Sequence, residues 1–182
     1  LVDHHAFPTS YLAPHGGATA FRPPMFPLAL AGAYTLSGTS DAKARWRAGR
    51  ILEALLGAIA VGLIGLIARR LWGPTVGLIA GAIAAVYPPL LLIGSSLMTE
   101  SLFIPLALAI VLCGLRYRDS GQRLRWVVLA GGLIAVASLT RAIGLALLLP
   151  IGVVFWRGRP RFSRRALRAP LVLISAAAPS RP

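Results

Sequence analysis

Few side chains in this sequence can do more than pack. Five are acidic, Asp3, Asp41, Glu53, Glu100 and Asp119, against 19 Lys and Arg and three His. Glu100 follows Thr99 and a small polar run at 94–99, at the head of an apolar segment. Arg141 follows Thr140 in the middle of another, and Arg22 precedes Pro23 and Pro24 ahead of a third. A guanidinium fixed beside lipid can grip phosphate oxygens with two parallel bonds. A carboxylate at the same depth can position a hydroxyl or ligate a divalent cation. Arg22 and Arg141 are therefore the candidate substrate-binding residues and Glu100 the candidate catalytic residue, for acceptor positioning or a metal ion.

Each has a structural alternative. Glu100 could simply favour the positive end of its own helix. Glu53 lies three residues after Arg50 on one helical face, where a local ion pair would account for it. Arg141 could snorkel to the interface and Arg22 could be an anchor there. His4, His5 and His15 lack helical metal-ligand spacing, so no metal site is assigned to them. The sequence calls for no definite cofactor; a divalent metal at Glu100 is the alternative kept open. The single cysteine, Cys113, excludes a disulfide within the chain and reads as a small core residue.

The elements that must carry these residues follow from composition. With 57% hydrophobic and 13% charged residues, the chain is far more apolar than a soluble domain, whose charged share is about 25%. The net charge of +14 would suggest nucleic acid in a soluble chain. Here it is explained by basic loops between membrane spans, and no aromatic platform accompanies it, so nucleic acid is not expected as a partner.

A hydrocarbon core of ~30 Å takes about 20 helical residues. The first clean span is 49–68, closed by Arg69 and Arg70. The turn 71–74 permits only a tight reversal, with Pro74 suited to the first turn of a second span to about residue 93. A third runs from Glu100 to about Tyr117. The apolar text from 126 to 156 would overshoot the bilayer as one straight helix, so it reads as two helices meeting at 139–142. Residues 169–178 open a truncated sixth span. Gly77 with Gly81, Ala58 with Gly62, and Gly131 with Gly132 offer small surfaces for close helix contact.

The fold class is thus all-α: a polytopic transmembrane helical bundle of about five spans plus a truncated sixth, with an interfacial amphipathic helix at 25–34. Residues 1–24 read as the remnant of an outer loop, 25–48 as the interfacial helix and a basic outer segment, and 49–182 as a transmembrane domain truncated at both ends. The loops after the first, third and fifth spans hold the larger share of the arginines, which places them in the cytoplasm. The chain is then a multi-pass protein of the plasma (inner) membrane whose polar candidates gather on the outer face. The basic cluster at 43–50 would concentrate anionic lipids there.

The order of these features resembles the membrane glycosyltransferases of the GT-C fold, in the branch containing protein O-mannosyltransferases and the aminoarabinose transferase of lipid A. Its fixed points are Arg22-Pro23-Pro24, Arg69-Arg70-Leu71-Trp72-Gly73, Tyr87-Pro88-Pro89, Thr99-Glu100 and Thr140-Arg141, spread over roughly 20–156. The resemblance implies transfer of a sugar from a polyprenyl-phosphate donor to a lipid, glycan or protein acceptor on the outer face. It also implies a catalytic carboxylate in a first outer loop. Asp3 reads as the end of that loop, so the role is not carried onto it, and residues 1–182 alone are expected to be inactive. The competing readings are a fragment of a secondary transporter or permease and a noncatalytic membrane scaffold.

The topology is tested in a Cys113→Ala background with single cysteines at 41–50, 94–99 and 118–125. A membrane-impermeant thiol reagent added outside intact cells should label the first two segments alone. Labelling of 118–125 from outside would reverse the orientation.

Overall fold

The computed structural model describes residues 23–38, 41–93, 98–121 and 123–157. Arg22, Asp3, the three histidines and the run at 169–178 lie outside them. Among the described residues all regular structure is helical. The α-helices are α1 (Met25–Ser37), α2 (Ala42–Trp72), α3 (Pro74–Val86), α4 (Pro88–Ile93), α5 (Thr99–Asp119), α6 (Leu124–Thr140) and α7 (Leu148–Arg157), with a 3₁₀ segment, Ala142–Leu147, between the last two.

Helix α1 begins where the two prolines end, with Pro24 as its N-cap, and stops at Gly38, whose φ of 65° is left-handed. It packs on α2 and touches α6. Helix α2 starts seven residues before the expected span and runs through the boundary drawn at 48/49 without a break. The reason is that hydrocarbon thickness limits an apolar span but not a helix, and Ala, Lys and Arg are good helix formers. At ~1.5 Å per residue its 31 residues reach about 46 Å, so the turns holding Lys43, Arg45 and Arg47 extend past a ~30 Å core.

The reversal between α2 and α3 is as tight as expected. Gly73 adopts φ 100° and caps both helices, and Pro74 opens α3. Helix α3 then returns along α2 on small residues. A Cβ on Gly77 would lie 2.6 Å from Arg69 Cβ and 2.8 Å from the Gly65 carbonyl, and one on Gly81 would sit 3.8 Å from Gly65 Cα. By contrast, nothing lies within 4 Å of a Cβ built on Gly62 or Gly132.

The second span is not one helix. Helix α3 stops at Val86, Tyr87 is extended (φ −71°, ψ 114°), and α4 takes up at Pro88. A residue before proline is pushed out of the α region, and two successive prolines remove two backbone donors from the ladder.

The core lies between α5, α6 and α7. It is built from Ile110, Cys113 and Tyr117, from Val127, Ala130, Ile134 and Ala137, and from Ile151 and Phe155. Tyr117 meets Phe155 edge to face, with ring centroids 4.6 Å apart. Elsewhere large apolar side chains face outward, Leu78 at 77%, Val86 at 72% and Leu149 at 76% exposure among them. Such a surface suits lipid, not water. Two of the described helices, α2 and α5, are long and apolar enough to cross a membrane. Helices α1, α3, α6 and the 142–156 stretch are shorter.

Because a Cβ at Gly77 meets backbone, Gly77→Leu should lower unfolding stability by about 1–3 kcal/mol, whereas Gly62→Ala should leave it unchanged. Unfolding in detergent micelles, followed by circular dichroism, measures both. Equal behaviour of the two variants would refute the close α2–α3 contact.

Candidate active site at one end of the bundle

Two of the three expected site residues come together. Arg141 Nη1 bonds to Glu100 Oε1, joining the end of α6 to the start of α5 across 41 positions of sequence. The second oxygen, Oε2, accepts from Thr99 Oγ1 at 3.1 Å. Both carboxylate oxygens are thereby engaged. The side chains remain 41% (Arg141) and 34% (Glu100) exposed, so a ligand can reach the pair from outside the bundle.

The backbone explains why Arg141 points there. Helix α6 ends at Thr140 and Arg141 is extended (φ −151°, ψ 134°). Its N–H still bonds to the Ala137 carbonyl at 2.9 Å, and its carbonyl accepts from Gly144 N at 2.8 Å. The break therefore leaves neither of its main-chain groups without a partner. No proline stands at this break. Instead Gly144 lets the 3₁₀ segment fold onto α6: a Cβ there would lie 2.6 Å from Ala137 C and Ser138 N. Thr140 does not share the site. It is buried, and its hydroxyl donates to the Val136 carbonyl of its own helix at 2.9 Å.

A second polar contact lies beside the pair. Glu53 of α2 has 0% exposure. Its Oε1 accepts from Ser101 Oγ at 3.2 Å, and that hydroxyl also lies 3.1 Å from the Ile93 carbonyl at the end of α4. Among the described residues its Oε2 has no hydrogen-bond partner. Sequence reasoning tied Glu53 to Arg50 by helical spacing, but the structure turns it toward α5. The available signal was an acid followed by fifteen residues without a charge in an apolar helix, where burial needs a partner on another helix.

At the opposite end of the bundle Arg70 of α2 pairs with Asp119 of α5. Arg116 and Arg125 both lie over the ring of Trp126, at 5.7 and 5.1 Å from its centroid. Among the described residues this end carries cations on aromatic rings and no carboxylate beyond Asp119. The Glu100 end brings together an acid, a cation and the hydroxyls of Thr99 and Ser101.

Arg22 lies outside the described residues, as do Ser95 and Ser96 of the small polar loop. Among the described residues no group of three or more His, Cys, Asp or Glu side chains could hold a metal ion.

A family model described as dolichyl-phosphate-mannose-protein mannosyltransferase matches residues 21–179. No curated protein and no solved structure matches the chain.

The Glu100–Arg141 bond is tested by a double-mutant cycle on thermal unfolding in micelles. Glu100→Ala and Arg141→Ala should each destabilise, and the double variant should lose less than their sum. For a pair this open the expected coupling is about 0.5–1 kcal/mol. Strict additivity would mean the two side chains do not interact in the membrane protein.

Proposed function

The chain belongs to the dolichyl-phosphate-mannose-protein mannosyltransferase family, a group of GT-C type membrane glycosyltransferases, and from that premise we propose that it serves sugar transfer from a polyprenyl-phosphate donor to an acceptor hydroxyl on the outer face of the membrane. The observation that carries the proposal is the Glu100–Arg141 pair: a guanidinium fixed at one end of a lipid-facing bundle and still open to a ligand.

The chemistry requires such a group. The acceptor oxygen attacks the sugar's anomeric carbon, and its proton passes to a carboxylate. The bond from that carbon to the phosphate oxygen breaks, and the electron pair stays on the polyprenyl phosphate. Negative charge therefore grows on the phosphate as the reaction proceeds, and a cation already in place stabilises that charge more than it stabilises the ground state. Arginine has five donors, so Nη1 can stay on Glu100 while other N–H groups face phosphate oxygens.

Within this reading Glu100 aims Arg141, since both of its oxygens are occupied. The carboxylate that takes the proton is assigned to an outer loop, as the GT-C resemblance implies. Arg22 is assigned as a second cation on the phosphate, carried to headgroup depth by the prolines that precede α1. The isoprenoid tail needs no polar partner, because the outward faces of the helices are already a lipid surface. Sugar, polyprenol length and acceptor class are set by contacts beyond this pair.

In the full-length protein, Arg141→Ala should lower kcat/KM by roughly two to three orders of magnitude, the cost of one well-placed electrostatic donor. Arg141→Lys should recover only part of it, because lysine keeps the charge and loses the fork. Arg22 variants should follow the same order. Transfer is measured per molecule of inserted enzyme with polyprenyl-phosphate sugars. A wild-type rate for Arg141→Ala would remove this residue from the phosphate site.

A further inference from the structure

We infer that Glu53 is a positioning residue for this site: it fastens the first turn of α5 to α2 and so sets where Glu100 holds Arg141. The functional half of this inference rests on the assignment of Arg141 to the donor's phosphate; the structural half does not.

The first reason is where Glu53 stands. A carboxylate with no exposure in an apolar helix is costly to bury and adds nothing to packing that leucine would not. What it does add is a bond between elements. Ser101 Oγ lies within hydrogen-bond distance of both Glu53 Oε1 on α2 and the Ile93 carbonyl at the end of α4. Three helices meet at one hydroxyl, and the residue before that hydroxyl is Glu100.

The second reason is that α5 is weakly fastened at this point by its own backbone. Pro105 lies inside the helix and is buried. Proline has no N–H, so the carbonyl of Ser101 lacks the donor that the fifth residue of a helical turn normally supplies. At the other edge of the turn, Met98 caps the helix without a side-chain hydrogen bond. The Ser101 N–H does bond to the Met98 carbonyl at 3.1 Å. The Ser101 side chain adds a constraint on the direction of the turn from outside the helix, through Glu53 on α2 and the Ile93 carbonyl on α4.

The third reason separates geometry from charge. Ser101 has one hydroxyl hydrogen for two acceptors, and among the described residues Glu53 Oε2 has no partner. A glutamine at position 53 could donate from its amide nitrogen to Ser101 Oγ, leaving the serine hydrogen for the Ile93 carbonyl. If Glu53 acts by position, Glu53→Gln should therefore keep its function and Glu53→Leu should not.

The test uses the full-length protein and two readouts. In the first, the Glu100–Arg141 double-mutant cycle is repeated in Glu53→Gln and Glu53→Leu backgrounds. The stability coupling should persist with glutamine and vanish with leucine; coupling that survives in the leucine background overturns the inference. Should Glu53→Leu fail to fold, Ser101→Ala cuts the same bond with α2 intact and must give the same loss. In the second, transfer is measured for both Glu53 variants. Glu53→Leu should lower kcat about tenfold while KM changes less than about threefold, and it should add little in an Arg141→Ala background. Glu53→Gln should run near the wild-type rate. A Gln variant as impaired as Leu would mean that the charge itself acts, which also overturns the inference. Lost coupling with an unchanged transfer rate would instead leave the positioning intact and reject the phosphate assignment.

Discussion

Two ties between α2 and α5, one near each end, hold the two long helices of this bundle at a fixed height relative to each other. Glu53 meets Ser101 and Arg70 meets Asp119. Arg70 lies 17 positions after Glu53 and Asp119 lies 18 after Ser101, so at ~1.5 Å per residue both spans measure roughly 26 Å. Apolar helices in lipid gain almost nothing from the hydrophobic effect when they touch. A slide of α5 by one turn along α2 would break both ties together. These few polar atoms mark the parallel register of α2 and α5, and with it the height of Glu100, alongside the core that α5 shares with α6 and α7.

The other side of the pair depends on a backbone break. Arg141 can face Glu100 because α6 ends at Thr140 and the chain turns back in a 3₁₀ segment that a Cβ at position 144 would obstruct. A register-locked helix start thus meets a sterically defined helix end. Neither helix needs to be long: α6 has 17 residues, and its packing comes from the shared core with α5 and α7 rather than from its own span.

The chain announces some of this in its residues and hides the rest. The break at 139–142 is legible because one straight helix through the 31 residues from 126 to 156 would overshoot a bilayer. The reversal at Gly73-Pro74 is legible because glycine and proline have narrow backbone roles. The pairing of Glu100 with Arg141 is not, since periodicity assigns each residue a face and a depth but no neighbour on another helix. Glu53 shows the same limit: helical spacing offered Arg50, and burial in lipid selected Ser101. Glycines divide in the same way, Gly65, Gly77 and Gly81 meeting one another while Gly62 faces open space. The helix break at Tyr87 was written plainly in Pro88-Pro89, but counting apolar residues alone passes over it.

That break has a consequence for the bilayer around the protein. Helix α3 starts at the Arg70 end and covers only about 20 Å of a ~30 Å core in its 13 residues. The prolines that follow lack N–H groups, so they leave no donor stranded, and the Leu90 and Leu91 N–H groups both bond to the Tyr87 carbonyl. The acceptors are another matter. Ala85 would take its helical bond from Pro89, which has none to give, and Val86 would take it from Leu90, which bonds elsewhere. A carbonyl that loses its helical donor in this way needs water, a headgroup or further protein as its partner wherever it meets hydrocarbon. A carbonyl so placed draws polar neighbours toward it, so the break at Tyr87 is a place where the outer surface of the bundle favours water or headgroups over acyl chains.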